Sequence, residues 1–159
     1  MLEIHSKAYQ QQYNDNFICV IPTNIYGPYD NYSLQDGHVI PSLIHKCYLS
    51  KKNNDNFVVK GTGQPLRQFI FSEGLAKLIM WVMEKYHQKE SIILSVGEEN
   101  EVSIEEIARK ISKCYGYEHK LIFDTTFSDG QYKKTASNKK LMKLIKNFEF
   151  TSIEIGRAH

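Results

Sequence analysis

The chain has 159 residues, with 20 Lys and Arg against 18 Asp and Glu, a formal net charge of +2. That balance excludes the strongly basic surface of a typical nucleic-acid binder, and 10 Tyr with 8 Phe exclude a chain too polar to bury a core. No apolar run approaches the roughly 18 residues that a membrane-spanning helix needs, and Met1-Leu2-Glu3-Ile4-His5 lacks the basic and apolar regions of a signal peptide.

Cys19, Cys47 and Cys114 lie far apart, outside any CxxC or Cys/His ligand spacing. Their odd, sparse count predicts free, buried thiols in a cytoplasmic protein without a metal site.

Residues 2–13 predict a helix with a thin apolar side of Leu2, His5, Tyr9 and Tyr13. Phe17-Ile18-Cys19-Val20-Ile21 is a continuous apolar run, the pattern of a buried parallel strand, and it ends at Pro22. From Pro22 to Gly37 the chain is rich in Asn, Gly, Pro and Asp and reads as one long loop. Helical spacing then carries Ile40, Leu43, Ile44, Cys47 and Tyr48, with Pro41 in the first turn. Lys51 to Asn56 predicts a solvated loop, Phe57-Val58-Val59 a strand, Gly61-Thr62-Gly63 a tight turn and Phe69-Ile70-Phe71 another strand.

Ser72 to Tyr86 is a clear helix, with Leu75, Leu78, Ile79, Val82, Met83 and Tyr86 in register. Ser91 to Val96 predicts a strand. Ser103 and Glu106 form a capping box ahead of Ile104, Ile107, Ala108 and Ile111. A strand at Lys120 to Phe123 and a last helix capped by Ser137 complete the pattern. Strands alternating with helices predict an α/β fold with parallel strands, although no G-x-G-x-x-G phosphate turn follows any of them.

Three clusters offer chemistry. Pro22-Thr23-Asn24-Ile25 follows a strand, where α/β sheets bind ligands, and an ordinary turn reads equally well there. His38 stands at a helix start, suited to general acid/base work if more than a surface histidine. Arg67 follows a Gly-rich turn, suited to a bidentate phosphate contact. Further on, Asp129 offers a hydrogen-bond acceptor and Lys133 or Lys134 a phosphate contact, against the alternative of a solvated charged loop.

In order, P-T-N-x-Y-G-P (22–28), H-V-I-P (38–41) and G-T-G-x-P-x-R-Q-F (61–69) resemble the second half of an extended short-chain dehydrogenase/reductase. Within that superfamily, Gly27 to Asn31, Asp36 to Pro41 and Ser128 to Lys134 are similar to the GDP-4-keto-6-deoxy-mannose 3,5-epimerase-4-reductases, the makers of GDP-L-fucose. The likeness covers about residues 1–150. It implies the C-terminal part of a Rossmann-type parallel sheet plus a smaller α/β substrate-binding domain. Residues 1–37 would end the NADP-binding domain, 38–151 would form mainly the GDP-sugar domain with crossover elements, and 152–159 would be a tail outside the pattern.

The resemblance further implies epimerisation at C3 and C5 followed by reduction at C4 with NADP(H) as cofactor. His38 takes the family's acid/base histidine position. Pro22, Thr23, Asn24, Ile25 and His38 fall at cofactor-binding positions, and Lys46, Lys60, Arg67 and Asp129 at GDP-sugar-binding positions. Lys60 departs from the pattern, which usually has Trp. The family's Y-x-x-x-K pair would end just before Met1, so the expectation is a C-terminal fragment, inactive alone, of a homodimeric enzyme with neither nucleic-acid nor membrane partners. Two other readings stay open: another nucleotide-sugar epimerase or dehydratase of the superfamily, and a non-catalytic GDP-sugar-binding module.

Overall fold

The computed structural model describes residues 1–153, so most of the expected tail at 152–159 lies outside the described residues. In chain order the elements are α1 (Leu2–Tyr13), β1 (Val20–Pro22), β2 (Asn24–Tyr26), α2 (Val39–Asn53), β3 (Phe57–Lys60), β4 (Leu66–Arg67), β5 (Phe69–Phe71) and α3 (Ser72–Lys85). They continue with β6 (Ile92–Leu94), β7 (Val102–Ser103), α4 (Ile104–Cys114), β8 (Leu121–Asp124) and α5 (Lys139–Leu144). Three pairings are parallel: β1 with β6, β2 with β5, and β3 with β8. β4 pairs antiparallel with β7. The predicted α/β class with parallel strands is the one observed, and two of the parallel pairs tie residues before 37 to elements beyond it.

Helix boundaries follow local chemistry. α4 begins where the Ser103 hydroxyl accepts the Glu106 N–H at 3.0 Å, the predicted cap. α2 runs three residues into the stretch expected as loop, to Asn53, and Asn54 ends it in the left-handed region at φ 58°, leaving residues 54–56 as the loop. Lys51 and Lys52 favour that extension, because cations suit the last turn of a helix. Asn138 holds the N-cap position of α5 without a side-chain cap bond, and the hydroxyl of the expected Ser137 accepts the Lys139 N–H at 3.4 Å.

Several expectations about exposure fail, Tyr48 on α2 among them at 49% exposed, because packing, not pattern, decides burial. The 17–21 run was expected inside, yet Phe17 and Ile21 are about half exposed; the strand starts only at Val20, and Phe17 packs its ring edge-on against Tyr9 of the exposed helix face. On α1 the expected apolar side, Leu2, Tyr9 and Tyr13, is exposed. Its one buried residue is Gln10, whose amide donates to the Phe17 and Lys89 carbonyls. Met83 faces solvent while Leu75, Leu78 and Val82 form a narrower stripe. Cys114 is exposed, in contrast to Cys47.

Two apolar clusters flank β5. One gathers Ile40, Leu43, Phe57, Val59, Phe69, Ile107 and Ile111 from α2, β3, β5 and α4. The other gathers Ile70, Leu75, Leu78, Ile92, Leu94 and Leu141 from β5, α3, β6 and α5. Adjacent Phe69 and Ile70 thus serve opposite faces of one strand, as the strand period requires. Immediately before them in sequence sits Gln68, fully buried. Its amide donates to the carbonyls of Val96 (2.9 Å), Gly97 (3.1 Å) and Ala136 (3.0 Å), and its own oxygen accepts the Ala136 N–H (2.8 Å).

Cys47 is 0% exposed, and burial pushes its thiol up to about 11. At pH 8 only about one such thiol in a thousand is ionised, and the thiolate is the reactive form. Native chain treated with a disulfide reagent is therefore expected to lose Cys114 first, with Cys47 reacting only on unfolding. Modification of Cys47 at the native rate of Cys114, read by peptide mass mapping, would contradict this packing.

Candidate functional site

Two cavities adjoin at the start of α2. The smaller, about 450 Å³, is lined by Thr23, Asn24 and Ile25 around β2 and by His38 and Val39. The other, about 520 Å³, is lined by Lys46 from α2, Lys60 from β3, Arg67 from β4 and Asp129 from the loop after β8. Val39 lines both, so the expected cofactor set and the expected substrate set meet there. Pro22 is exposed at the end of β1 and lines neither cavity. A larger cavity, about 880 Å³, lies beside α4, where Glu99, Glu101 and Glu106 outnumber Lys110 and Lys113, a poorer setting for a polyanion.

The strand β2 corrects the predicted loop at 22–37. Three residues are too few for a period to register, and parallel pairing with β5 makes them a strand. The Asn24 amide donates to the Gln68 carbonyl at 2.9 Å, which leaves its side-chain oxygen for a ligand. Thr23 Oγ1 is buried without a hydrogen-bond partner among the described residues. An orphaned hydroxyl in a cavity wall is costly unless something else fills it, so this wall suits a group such as a carboxamide that carries both donors and acceptors.

His38 is the N-cap residue of α2, with φ −68° and ψ 160°, and its own side chain caps nothing. Instead its Nδ1 stands 2.8 Å from Oδ1 of Asp30. Asp30 was not singled out in the sequence. Eight residues upstream, in a stretch of turn formers, a carboxylate carries no signal of its own.

Among the described residues Lys46, Lys60 and Arg67 form no ion pair, although they share one cavity. Burial holds the Lys46 ammonium below the usual lysine value and Lys60 pushes it the same way, while Asp124 pulls it back. A second cation nearby and partial desolvation both favour binding an anion there. Lys60 is exposed, with Nζ 4.6 Å from the centre of the Phe127 ring, a cation–π contact. Arg67 is half-buried, and Nη1 donates to the Leu66 carbonyl at 2.7 Å, which steadies the fork and leaves the other guanidinium nitrogens available.

Asp129 accepts from the Thr62 N–H (2.9 Å) and from the Thr62 hydroxyl (2.5 Å). This fastens the 125–138 loop over the Gly61-Thr62-Gly63 turn. Gly61 sits at φ 85°, and a Cβ there would collide with the Asp129 carboxylate, so glycine is required twice over. Lys133, considered for phosphate, is held instead by Glu98 (3.0 Å) and Glu101 (3.3 Å), and those contacts raise its proton affinity.

Known proteins share this arrangement. The sequence profile of the NAD dependent epimerase/dehydratase family matches residues 1–97. The chain belongs to that family. It is 54% identical to a GDP-L-fucose synthase of Dictyostelium discoideum, over 97% of this chain and 48% of that protein. It is 42% identical to a probable GDP-L-fucose synthase of Drosophila melanogaster, over 97% of this chain and 50% of that one. Among solved structures, a GDP-L-fucose synthetase of Naegleria fowleri bound to NADP aligns with a TM-score of 0.93 at 39% identity, over 98% of this chain and 49% of that one.

The chain thus spans about half the length of the curated relatives it matches. For an epimerase/dehydratase of this kind, the parallel pairs β1–β6 and β2–β5 are a portion of a Rossmann-like sheet. Among the described residues no helix is long and apolar enough to cross a membrane.

Proposed function

We propose that this chain is part of an NADPH-dependent GDP-L-fucose synthase, which epimerises GDP-4-keto-6-deoxy-mannose at C3 and C5 and then reduces its 4-keto group. The observation that carries this reading is the junction at Val39, where an anion-attracting cavity adjoins one holding a histidine and an orphaned hydroxyl. NADP(H), when bound, supplies the hydride. Thr23, Asn24 and Ile25 would hold its nicotinamide end, with Pro22 shaping the turn into that wall and His38 alongside. Residues 1–37 then belong with the cofactor domain and 38–151 mainly with the sugar-nucleotide domain, β5, α3 and β6 crossing back.

On this reading Lys46 and Arg67 neutralise the diphosphate, Lys60 adds charge at the rim, and Asp129 accepts hydrogen bonds from hydroxyls of the ligand. His38 exchanges protons with the carbons beside the ketone, whose C–H bonds the carbonyl acidifies. The same reading makes the working enzyme a cytoplasmic homodimer. Calorimetry tests it: GDP and GDP-mannose are expected to bind the chain, and UDP-sugars at least tenfold more weakly. Equal binding of UDP-sugars would favour another epimerase of the family, and no GDP binding at millimolar concentration would reject the reading.

Lys46 also sets a pH dependence. Its folded value is lowered, so the unfolded chain holds that proton more tightly, and stability rises with pH between the folded and unfolded values. A bound diphosphate acts in reverse, favouring the charged ammonium. GDP binding should therefore take up protons, and affinity should fall as pH rises through the free-state value of Lys46. Titrations in buffers of different ionisation enthalpy read that proton directly, and Lys46→Met should abolish the uptake.

A further inference from the structure

The pair Asp30–His38 has a geometry that a surface ion pair does not need. The side chain of Asp30 is 13% exposed while that of His38 is 70% exposed, so the carboxylate is the anchored partner. Asp30 Oδ1 also accepts the Asn31 N–H at 2.7 Å. The segment around it is braced by its own side chains. The Asn31 amide donates to the Asp36 carbonyl, Asn31 Oδ1 accepts the Ser33 N–H, and the Ser33 hydroxyl accepts the Gln35 and Asp36 N–H groups. His45 Nδ1 lies 2.8 Å from the Tyr32 carbonyl, which ties the segment to α2. Tyr29, just before Asp30, holds φ 65°, an uncommon conformation for a side-chain-bearing residue.

We propose that Asp30 is a positioning residue that holds His38 as the Nδ1–H tautomer, so that Nε2 is the nitrogen exchanging protons in the cavity. A carboxylate accepts and does not donate when ionised, so the ring nitrogen facing it carries the hydrogen. Which nitrogen of an imidazole acts as base is set by the hydrogen bond the other one makes. His38 lines the cavity and Asp30 does not, which divides the work as in other histidine–carboxylate pairs, one residue acting and the other orienting it. The charge of Asp30 also reaches Tyr32, whose hydroxyl is raised first by burial and then by this carboxylate. The catalytic consequence rests on the reading of His38 above, whereas the tautomer itself does not.

Nitrogen NMR of ¹⁵N-histidine-labelled chain, without substrate or cofactor and at a pH where the ring is neutral, tests the proposal. His38 is expected to show protonated Nδ1 and bare Nε2. Asp30→Ala should shift the population toward Nε2–H, the form favoured in water, and Asp30→Asn, which keeps an acceptor of the same shape, should restore much of the Nδ1–H form. An Nε2–H signal in the unaltered chain overturns the proposal with no variant needed, as does Asp30→Ala leaving both ring nitrogens unchanged. A purely bracing role for Asp30 would alter stability and leave the tautomer alone. Because no ligand is present, failure here is separate from failure of GDP binding.

Discussion

Arg67→Ala is expected to weaken GDP binding by roughly 10- to 100-fold, and Lys46→Ala by a similar factor. Each hydrogen bond to a charged group is worth about 1.5–3 kcal/mol net, and about 1.4 kcal/mol is a factor of ten in affinity. Arg67 has the stronger claim to the upper end. Its guanidinium is already held by the Leu66 carbonyl, so little side-chain freedom is lost when an anion arrives. Lys46 is partly desolvated and repelled by Lys60, and a diphosphate relieves both conditions. Lys60→Ala should cost much less, because an exposed lysine resting on Phe127 already has a partner and is screened by water.

The order Arg67 and Lys46 well above Lys60, measured by calorimetry at low salt, is the signature of a diphosphate seated between α2 and β4. Three variants that bind GDP as tightly as the unaltered chain would mean that the shared cavity holds no anion. Raising the salt should shrink all three effects, and that of Lys60 first, since its charge is the most exposed of the three.

Much of the grouping in this candidate site was legible before any geometry, and the exceptions have a common cause. Lys46, Lys60, Arg67 and Asp129 were expected to act together through motif resemblance, and the fold brings all four to one cavity. Thr23, Asn24, Ile25 and His38 likewise share another. α4 was legible because its signals are local: a serine cap, a glutamate three residues on and an apolar stripe. What escaped depends on partners distant in sequence or on residues that look generic. β2 exists through pairing with residues 45 positions later. Asp30 resembles any turn aspartate until His38 is seen against it. The half-exposed β1 run looked internal because its composition carries no record of which neighbours are present.

Gln68 belongs to the same group, and its loss should have the largest effect on stability. Gln68→Ala would leave the buried Gly97 carbonyl and the half-buried Ala136 carbonyl without their amide donor, the Val96 carbonyl with only the Ser95 hydroxyl, and the Ala136 N–H without its acceptor. Unmet buried groups cost about 1–3 kcal/mol each, less where the backbone can relax, so a total of roughly 3–5 kcal/mol is expected. With a urea slope of about 2 kcal/mol/M, the unfolding midpoint should fall by roughly 2 M.

Gln68→Glu discriminates between lost hydrogen bonds and lost packing. An ionised glutamate has the same shape but would turn a bare oxygen toward three carbonyl oxygens, so the folded state favours its protonated form. Its folded value lies above the unfolded one, and the variant should be closest to the unaltered chain at acid pH, losing stability as pH rises through that folded value. Since Gln68 holds Ala136 at one end of the loop that bears Asp129, the same variant should also weaken GDP binding at neutral pH. A midpoint difference independent of pH would mean that Gln68 fills space and does not fasten the loop.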